Sequence, residues 1–136
     1  MPYLLDTNVI SELRKAPKCD VKLLKWAQST ASQQHYLSIL TLGEIRKGIE
    51  MLRLHSPQQC EAFERWLRQL QEEYHANLLP VSASVIDRWG RLMATRTFPV
   101  IDGLLAATAL TFDLTLATRN VDDFAGSGVG LVNPFA

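Results

Sequence analysis

The chain reads as an α/β domain built on a parallel sheet, and three observations predict it. Short apolar runs alternate with helical apolar patterns from end to end, without repeats or low-complexity tracts; strands separated by helices pair in parallel through right-handed crossovers. The composition, 47% apolar and 21% charged, is that of an ordinary globular protein. The segment GLLAATALTF is rich enough in alanine to pack closely against a sheet.

The elements follow in order. Tyr3, Leu4 and Leu5 form a first strand that stops at Asp6, and the polar pair Thr7 and Asn8 leads into a short helix carrying Val9, Ile10 and Leu13, which ends before Pro17. Asp20 suits the N-cap of a second helix, with Val21, Leu23, Leu24 and Ala27 on its inner face. Tyr36 to Ile39 is the second strand, and Leu42, Ile45, Ile49 and Leu52 then recur at helical spacing. Ser56 followed by Pro57 opens an amphipathic helix through Phe63, Trp66, Leu67 and Leu70. Leu78 to Val81 supplies a third strand. Ser82 or Ser84 caps a helix through Val85, Ile86, Trp89 and Met93, which must finish before Pro99. Asp102 then opens the alanine-rich helix as its N-cap. Leu114 to Ala117 is the fourth strand, Asn120 to Gly130 a turn-rich loop, and Gly130 to Asn133 a last strand before Pro134.

At 136 residues the chain has the size of one domain, residues 1–136, and a chain of this length buries roughly two thirds of its unfolded surface without needing a staple. Cys19 and Cys60 lie far apart with no CxxC and no histidine at ligand spacing, which favours a reduced, intracellular protein. No leader-like segment and no apolar stretch of about eighteen residues is present, so a cytoplasmic protein without a membrane span is expected. Fourteen basic and 14 acidic residues cancel. Any anionic ligand must therefore be held locally rather than drawn in by net charge. Arg14, Lys15, Lys18, Lys22 and Lys25 form one basic cluster and Arg46, Lys47 and Arg53 another; each taken alone reads as a solvated helix face.

Three acids carry the chemical interest. Asp6 ends a strand, and in parallel sheets ligands gather at the carboxyl ends of strands. Glu44 in SILTLGEI and Asp102 in FPVIDGLLAATAL sit in apolar surroundings, where a carboxylate is costly to hide without a partner. Each has an ordinary reading: Asp6 as a turn or cap residue, Asp102 as a cap, Glu44 as a solvated helix residue. Three such readings together are less convincing, and Glu44 borders the stripe of Leu42, Ile45 and Ile49 with the small Gly48 one turn on. Converging carboxylates raise one another's pKa values and repel unless a divalent ion compensates them. An all-oxygen donor set favours Mg²⁺ or Mn²⁺ over zinc, and such an ion keeps waters that suit phosphodiester hydrolysis.

LLDTNVISEL, LTLGEIRKGI, VIDGLLAATAL and LATRNVDDF followed by VNPF resemble, in that order and over almost the whole chain, the PIN-domain ribonucleases. Within them they resemble the VapC-like toxins of bacterial type II toxin–antitoxin pairs. The resemblance implies a Rossmann-like PIN domain, a three-layer α/β/α fold with a parallel sheet of about five strands. It also implies a Mg²⁺-dependent endoribonuclease, with Mn²⁺ as the alternative ion, in which an activated water cuts RNA to a 5′-phosphate and a 3′-hydroxyl. Asp6, Glu44 and Asp102 match the metal-binding acids of the family. The fourth position departs from it: Thr118 is followed by Arg119 and then Asn120, which can coordinate through its carbonyl but brings no charge, and Asp122 or Asp123 stands near enough in sequence to substitute.

Smaller roles fall to Thr7, Asn8 and Thr118, which can orient waters or a phosphate, and to Arg46, Lys47 and the basic residues from Arg14 to Lys25, which can hold the RNA backbone. His35, His55 and His75 have no mutual spacing for a ligand set and read as surface or packing residues. Trp26, Trp66 and Trp89 read as core or interface rather than base-stacking platforms. The resemblance further implies a small antitoxin that blocks the acidic site with a basic side chain, a homodimer formed through the early helices, and a heteromeric toxin–antitoxin complex. The SPQQCEAFERWLRQL helix is amphipathic enough to join such an interface. Two other functions are open to this sequence: a small metal-dependent phosphatase, although Asn8 stands where that chemistry wants a second Asp, and a non-catalytic PIN-like module binding RNA or protein.

Overall fold

β1 (Tyr3–Leu5), β2 (His35–Ser38), β3 (Leu78–Leu79), β4 (Thr115–Ala117) and β5 (Leu131–Val132) pair in parallel as one sheet in the order β3-β2-β1-β4-β5 in the computed structural model, which describes residues 1–136. The register sets Leu4 opposite Tyr36 and Leu116, and Leu5 opposite Ala117. Because successive strand side chains point to opposite faces, Leu5 and Ala117 enter one core while Leu4 and Leu116 enter the other. The first core packs the sheet against α1 (Thr7–Leu13), α2 (Val21–Ser29), α3 (Ile39–Arg53) and α4 (Cys60–Glu73). The second packs it against α5 (Ala83–Thr95) and α6 (Val100–Thr111). The result is the three-layer α/β/α arrangement with five parallel strands.

The first two strands are short because the polar residue at their end caps the next helix. Ser38 ends β2 and caps α3 by accepting from the Leu40 N–H at 3.0 Å, so the expected strand from Tyr36 to Ile39 shifts back by one residue and Ile39 becomes helical. The third strand stops at Leu79, the fourth starts one residue late at Thr115, and the fifth is confined to Leu131–Val132. Ser82, the first of the two serines weighed for α5, caps it through the Val85 N–H at 3.3 Å. Ser56 makes no side-chain cap; Pro57–Gln59 form a 3₁₀ turn instead and α4 starts at Cys60.

Two apolar residues placed on inner faces lie outside: Val21 is 66% exposed and Ile86 47%. Both belong to stripes in which neighbouring Leu23 and Val85 already fill the core, so these side chains point past its edge. Asp102 is not the N-cap of α6. Pro99 holds the extended cap conformation and the helix begins at Val100, closing its first turn with Gly103 N–H on the Pro99 carbonyl at 2.9 Å. Asp102 therefore stands inside the first turn, where free N–H groups and the helix dipole favour a carboxylate. In the same turn Gly103 permits close contact with α5, since a Cβ there would lie 3.0 Å from Met93 Sδ and 3.2 Å from Trp89 Nε1. No helix is long and apolar enough to cross a membrane.

Candidate metal centre and active site

The strand order changes direction between β1 and β4, and the crevice beyond their carboxyl ends is where open α/β sheets bind ligands. β1 delivers Asp6 to this crevice and β4 delivers Thr118. Pairing continues past both strands, with Asp6 N–H on the Ala117 carbonyl at 2.9 Å and Thr118 N–H on the Val132 carbonyl at 3.0 Å. That backbone anchoring fixes both side chains against the sheet.

Asp6 is 8% exposed and its two oxygens are separately committed. Oδ1 accepts from the Thr7 N–H at 2.7 Å, which makes Asp6 the N-cap of α1. Oδ2 accepts from the Thr118 hydroxyl at 2.8 Å and from Asn8 Nδ2 at 3.3 Å. Thr118 is itself fully buried and accepts the Asn120 N–H at 3.0 Å, so a chain of donors runs from the β4 loop into the carboxylate. Burial nevertheless raises the Asp6 pKa; these hydrogen bonds oppose the rise, while the Glu44 and Asp102 charges add to it.

Glu44 comes from the exposed side of α3 and accepts from the Thr7 hydroxyl at 2.6 Å. Thr7 also meets the buried Thr41 hydroxyl at 3.2 Å, so one threonine joins α1 to α3 at the centre. Asp102 reaches the same region from the first turn of α6, and its pKa is raised by burial first, then by Asp123 and Glu44. The three sequence-predicted acids thus share one electrostatic neighbourhood. Asp123, from the 3₁₀ turn Val121–Phe124, joins them. Of the two aspartates weighed as substitutes, Asp123 is the one whose charge bears on Asp102. Asn120 contributes its backbone N–H to Thr118, and its exposed side chain makes no hydrogen bond.

No trio of His, Cys, Asp or Glu side chains closes tightly enough to ligate one ion together. Burial is the main cause of the raised pKa values of Asp6 and Asp102, and the neighbouring carboxylates add to it. The donor set nonetheless fits a hard divalent ion: every candidate ligand is a carboxylate, two of them disfavour charge in their present setting, and Mg²⁺ tolerates water between itself and its carboxylates.

The smaller candidates divide. Thr7, Asn8 and Thr118 all bond to the acids or to one another, and Asn8 Oδ1 additionally holds the Arg119 N–H at 3.2 Å. Lys47 lines an open groove with Glu44, Gly43 and Ile101. Arg46 turns the other way: its Nη1 and Nη2 grip both carboxylate oxygens of Glu64 on α4, the latter at 3.0 Å, and Nη1 also meets Glu50 at 3.1 Å. Arg53 joins the same network through Glu50 and Glu64. Arg46 therefore fastens two helices together. In the earlier basic cluster Lys15 pairs with Glu12 at 3.1 Å and Arg14 lies over the Phe63 ring at 4.4 Å, while Lys18, Lys22 and Lys25 are exposed and unpaired. His35 packs parallel on Trp26 with ring centroids 5.5 Å apart, whereas His55 and His75 are on the surface.

A parallel α/β domain with a buried aspartate at the switch point of its sheet and further carboxylates in the same electrostatic neighbourhood belongs to the class of α/β proteins with acid-centred sites. Residues 3–126 match the PIN domain, and the chain belongs to the PIN-domain family. It is 30% identical to toxin FitB of Neisseria gonorrhoeae over 97% of each chain. It is also 30% identical to VapC ribonuclease Y4jK of Sinorhizobium fredii, over 97% of this chain and 96% of that one. The crystal structure of FitAcB from Neisseria gonorrhoeae superposes with a TM-score of 0.83 at 30% identity, covering 98% of both chains. A toxin–antitoxin complex from Klebsiella pneumoniae gives 0.71 at 25% identity over 97% of each.

Proposed function

We propose that this protein is a divalent-metal-dependent endoribonuclease, with Mg²⁺ or Mn²⁺ as its ion, and the toxin of a type II toxin–antitoxin pair. The observation that carries the reading is the buried Asp6 at the switch point, coupled to Glu44 and Asp102 in one crevice. Asp6, Glu44 and Asp102 would hold the ion, with Asp123 in the place that Asn120 leaves without charge. When bound, the ion offsets the charge gathering on the phosphate oxygens and lowers the pKa of a water.

The protein's own groups do the rest. Thr118 and Asn8 fix the Asp6 carboxylate, and Thr7 holds Glu44 at the crevice edge, where its carboxylate accepts a proton from the attacking water. Attack in line with the 3′ oxygen breaks the P–O3′ bond. The products are a 5′-phosphate and a 3′-hydroxyl, the leaving oxygen taking up a proton. Lys47, beside Glu44, is positioned for the RNA backbone, and the exposed Lys18, Lys22 and Lys25 are further cations available to it.

Relatives bearing the names toxin and VapC ribonuclease support the toxin role, and the related complex from Klebsiella pneumoniae supports a protein antitoxin as the partner. A basic side chain of that antitoxin would neutralise the acidic crevice. The working assembly is a cytoplasmic single-domain homodimer bound by antitoxin. Purified protein free of antitoxin, incubated with structured RNA, is expected to cut with Mg²⁺ or Mn²⁺ and to be inert with EDTA. Asp6→Asn and Asp102→Asn are each expected to slow cutting about 100-fold or more. Tight RNA binding without cuts would replace this reading with a binding module.

A further inference from the structure

We propose that the cavity between α1, α3 and α4 is a nucleobase pocket that selects the residue next to the scissile phosphate. This deepens the ribonuclease reading and rests on it. The cavity has a volume of about 310 Å³, at the small end of ligand sites, which run roughly 300–1,000 Å³. Thr7 and Glu44 form one end of it, Phe63 and Trp66 line it from α4, Ser11 and Gly48 stand at its rim, and aliphatic side chains of α3 form its floor.

Four features point to a base. The cavity shares Glu44 and Thr7 with the acidic centre, so an occupant sits within one nucleotide of a phosphate held there. Phe63 and Trp66 are half-buried and pack edge to face, with centroids 6.4 Å apart at 76°. Unstacked RNA bases settle on such aromatic surfaces whatever their identity, and polar groups at the rim then discriminate among them. Ser11 has a hydroxyl with no hydrogen-bond partner in the protein, free to meet a base edge. A Cβ on Gly48 would touch nothing within 4 Å, so the α3 side of the entrance is open.

The rest of the architecture keeps this wall in place. Arg46 and Arg53 tie α3 to Glu64, which stands between Phe63 and Arg65 on α4, and Arg14 lies over Phe63 at 4.4 Å and Trp66 at 5.7 Å. Arg46 and Arg53 are thus paired with Glu50 and Glu64, and the cation that covers the two rings is Arg14. Trp66 packs half-buried against the first core, as its sequence position led one to expect, and the proposal adds a second role for its ring.

The test uses the full-length protein, Mg²⁺ and short RNAs randomised on either side of the cut. Wild type is expected to prefer particular bases at one flanking position, and an abasic nucleotide there is expected to lower kcat/KM about 5- to 100-fold. Trp66→Leu should show the same loss with intact RNA, no further loss with the abasic one, and a flattened preference; Trp66→Phe should restore much of it. Circular dichroism and melting confirm that each variant folds. Separately, in a Trp26→Phe/Trp89→Phe background, nucleoside monophosphates should quench Trp66 fluorescence saturably, and ribose 5-phosphate should not. An abasic penalty that is absent, or unchanged in Trp66→Leu, overturns the pocket. So does a Trp66→Leu variant that loses antitoxin binding while its base preference stays intact, which would make the cavity a peptide groove. Saturable quenching by nucleotides in a protein that cuts no RNA would leave the pocket standing and remove the ribonuclease reading instead.

Discussion

Thr118 holds the buried charge of Asp6 in place. Its hydroxyl is the shortest side-chain donor to Asp6, and no water can replace it at full burial. Thr118→Val keeps the shape and removes the donor, so unfolding in urea should show a loss of about 1.5–3 kcal/mol, the usual worth of a hydrogen bond to a charged group. The Asp6 pKa should rise further, and with it the acid limb of the cleavage profile. His35 gives a second residue-level result. Burial against Trp26 lowers its pKa below 6.5, with Thr30 opposing the shift, so the unfolded chain takes up the proton first as pH falls. Stability from this site is complete above that value and is lost below it. His35→Phe should flatten the fall in melting temperature between about pH 6.5 and pH 5, and melts at the two pH values check it.

At the scale of elements, α4 is held by its buried Leu67 and Leu70 and, from outside, by the pairs of Glu64 with Arg46 and Arg53. Arg46→Gln should speed hydrogen exchange in α4 and lower the melting temperature at low salt. The difference from wild type should shrink in 1 M salt, on the order of a 3 Å Debye length. On the other face, Gly103→Val should destabilise by about 1–3 kcal/mol, because the new methyls meet Met93 and Trp89 at a close helix crossing. The order of strands and helices was legible because five short apolar runs alternate with apolar residues at helical spacing. The ends were less so: Ser38 and Ser82 identify themselves as caps only through the N–H groups they reach, and Pro99 starts α6 three residues before the acid that seemed to open it. Helical spacing also cannot say which of two adjacent apolar residues is inside, as Val21 and Ile86 demonstrate.

The whole molecule brings together residues that lie 34 to 112 positions apart in the chain, and this convergence is what the sequence could only suggest. The strand-end position of Asp6 was readable. The nearness of Asp123 rather than Asp122 to the Asp102 charge, and the diversion of Arg46 to Glu64, depend on geometry that no spacing encodes. Folding places several carboxylates in one crevice at a cost that a cation would offset. A divalent ion at 100 times its Kd should therefore add about 2.7 kcal/mol of stability to the wild type. Asp102→Asn relieves the same repulsion by losing a charge, so without metal it should melt at or above the wild-type temperature, and with metal it should gain little.

Calorimetric titration of the metal-free protein with Mn²⁺, beside Asp6→Asn and Asp102→Asn, puts the convergence itself to the test. Saturable binding in the wild type, weakened at least tenfold in both variants, is the result expected of acids that act around a common ion. Equal heats in all three proteins, or none in the wild type, would contradict it.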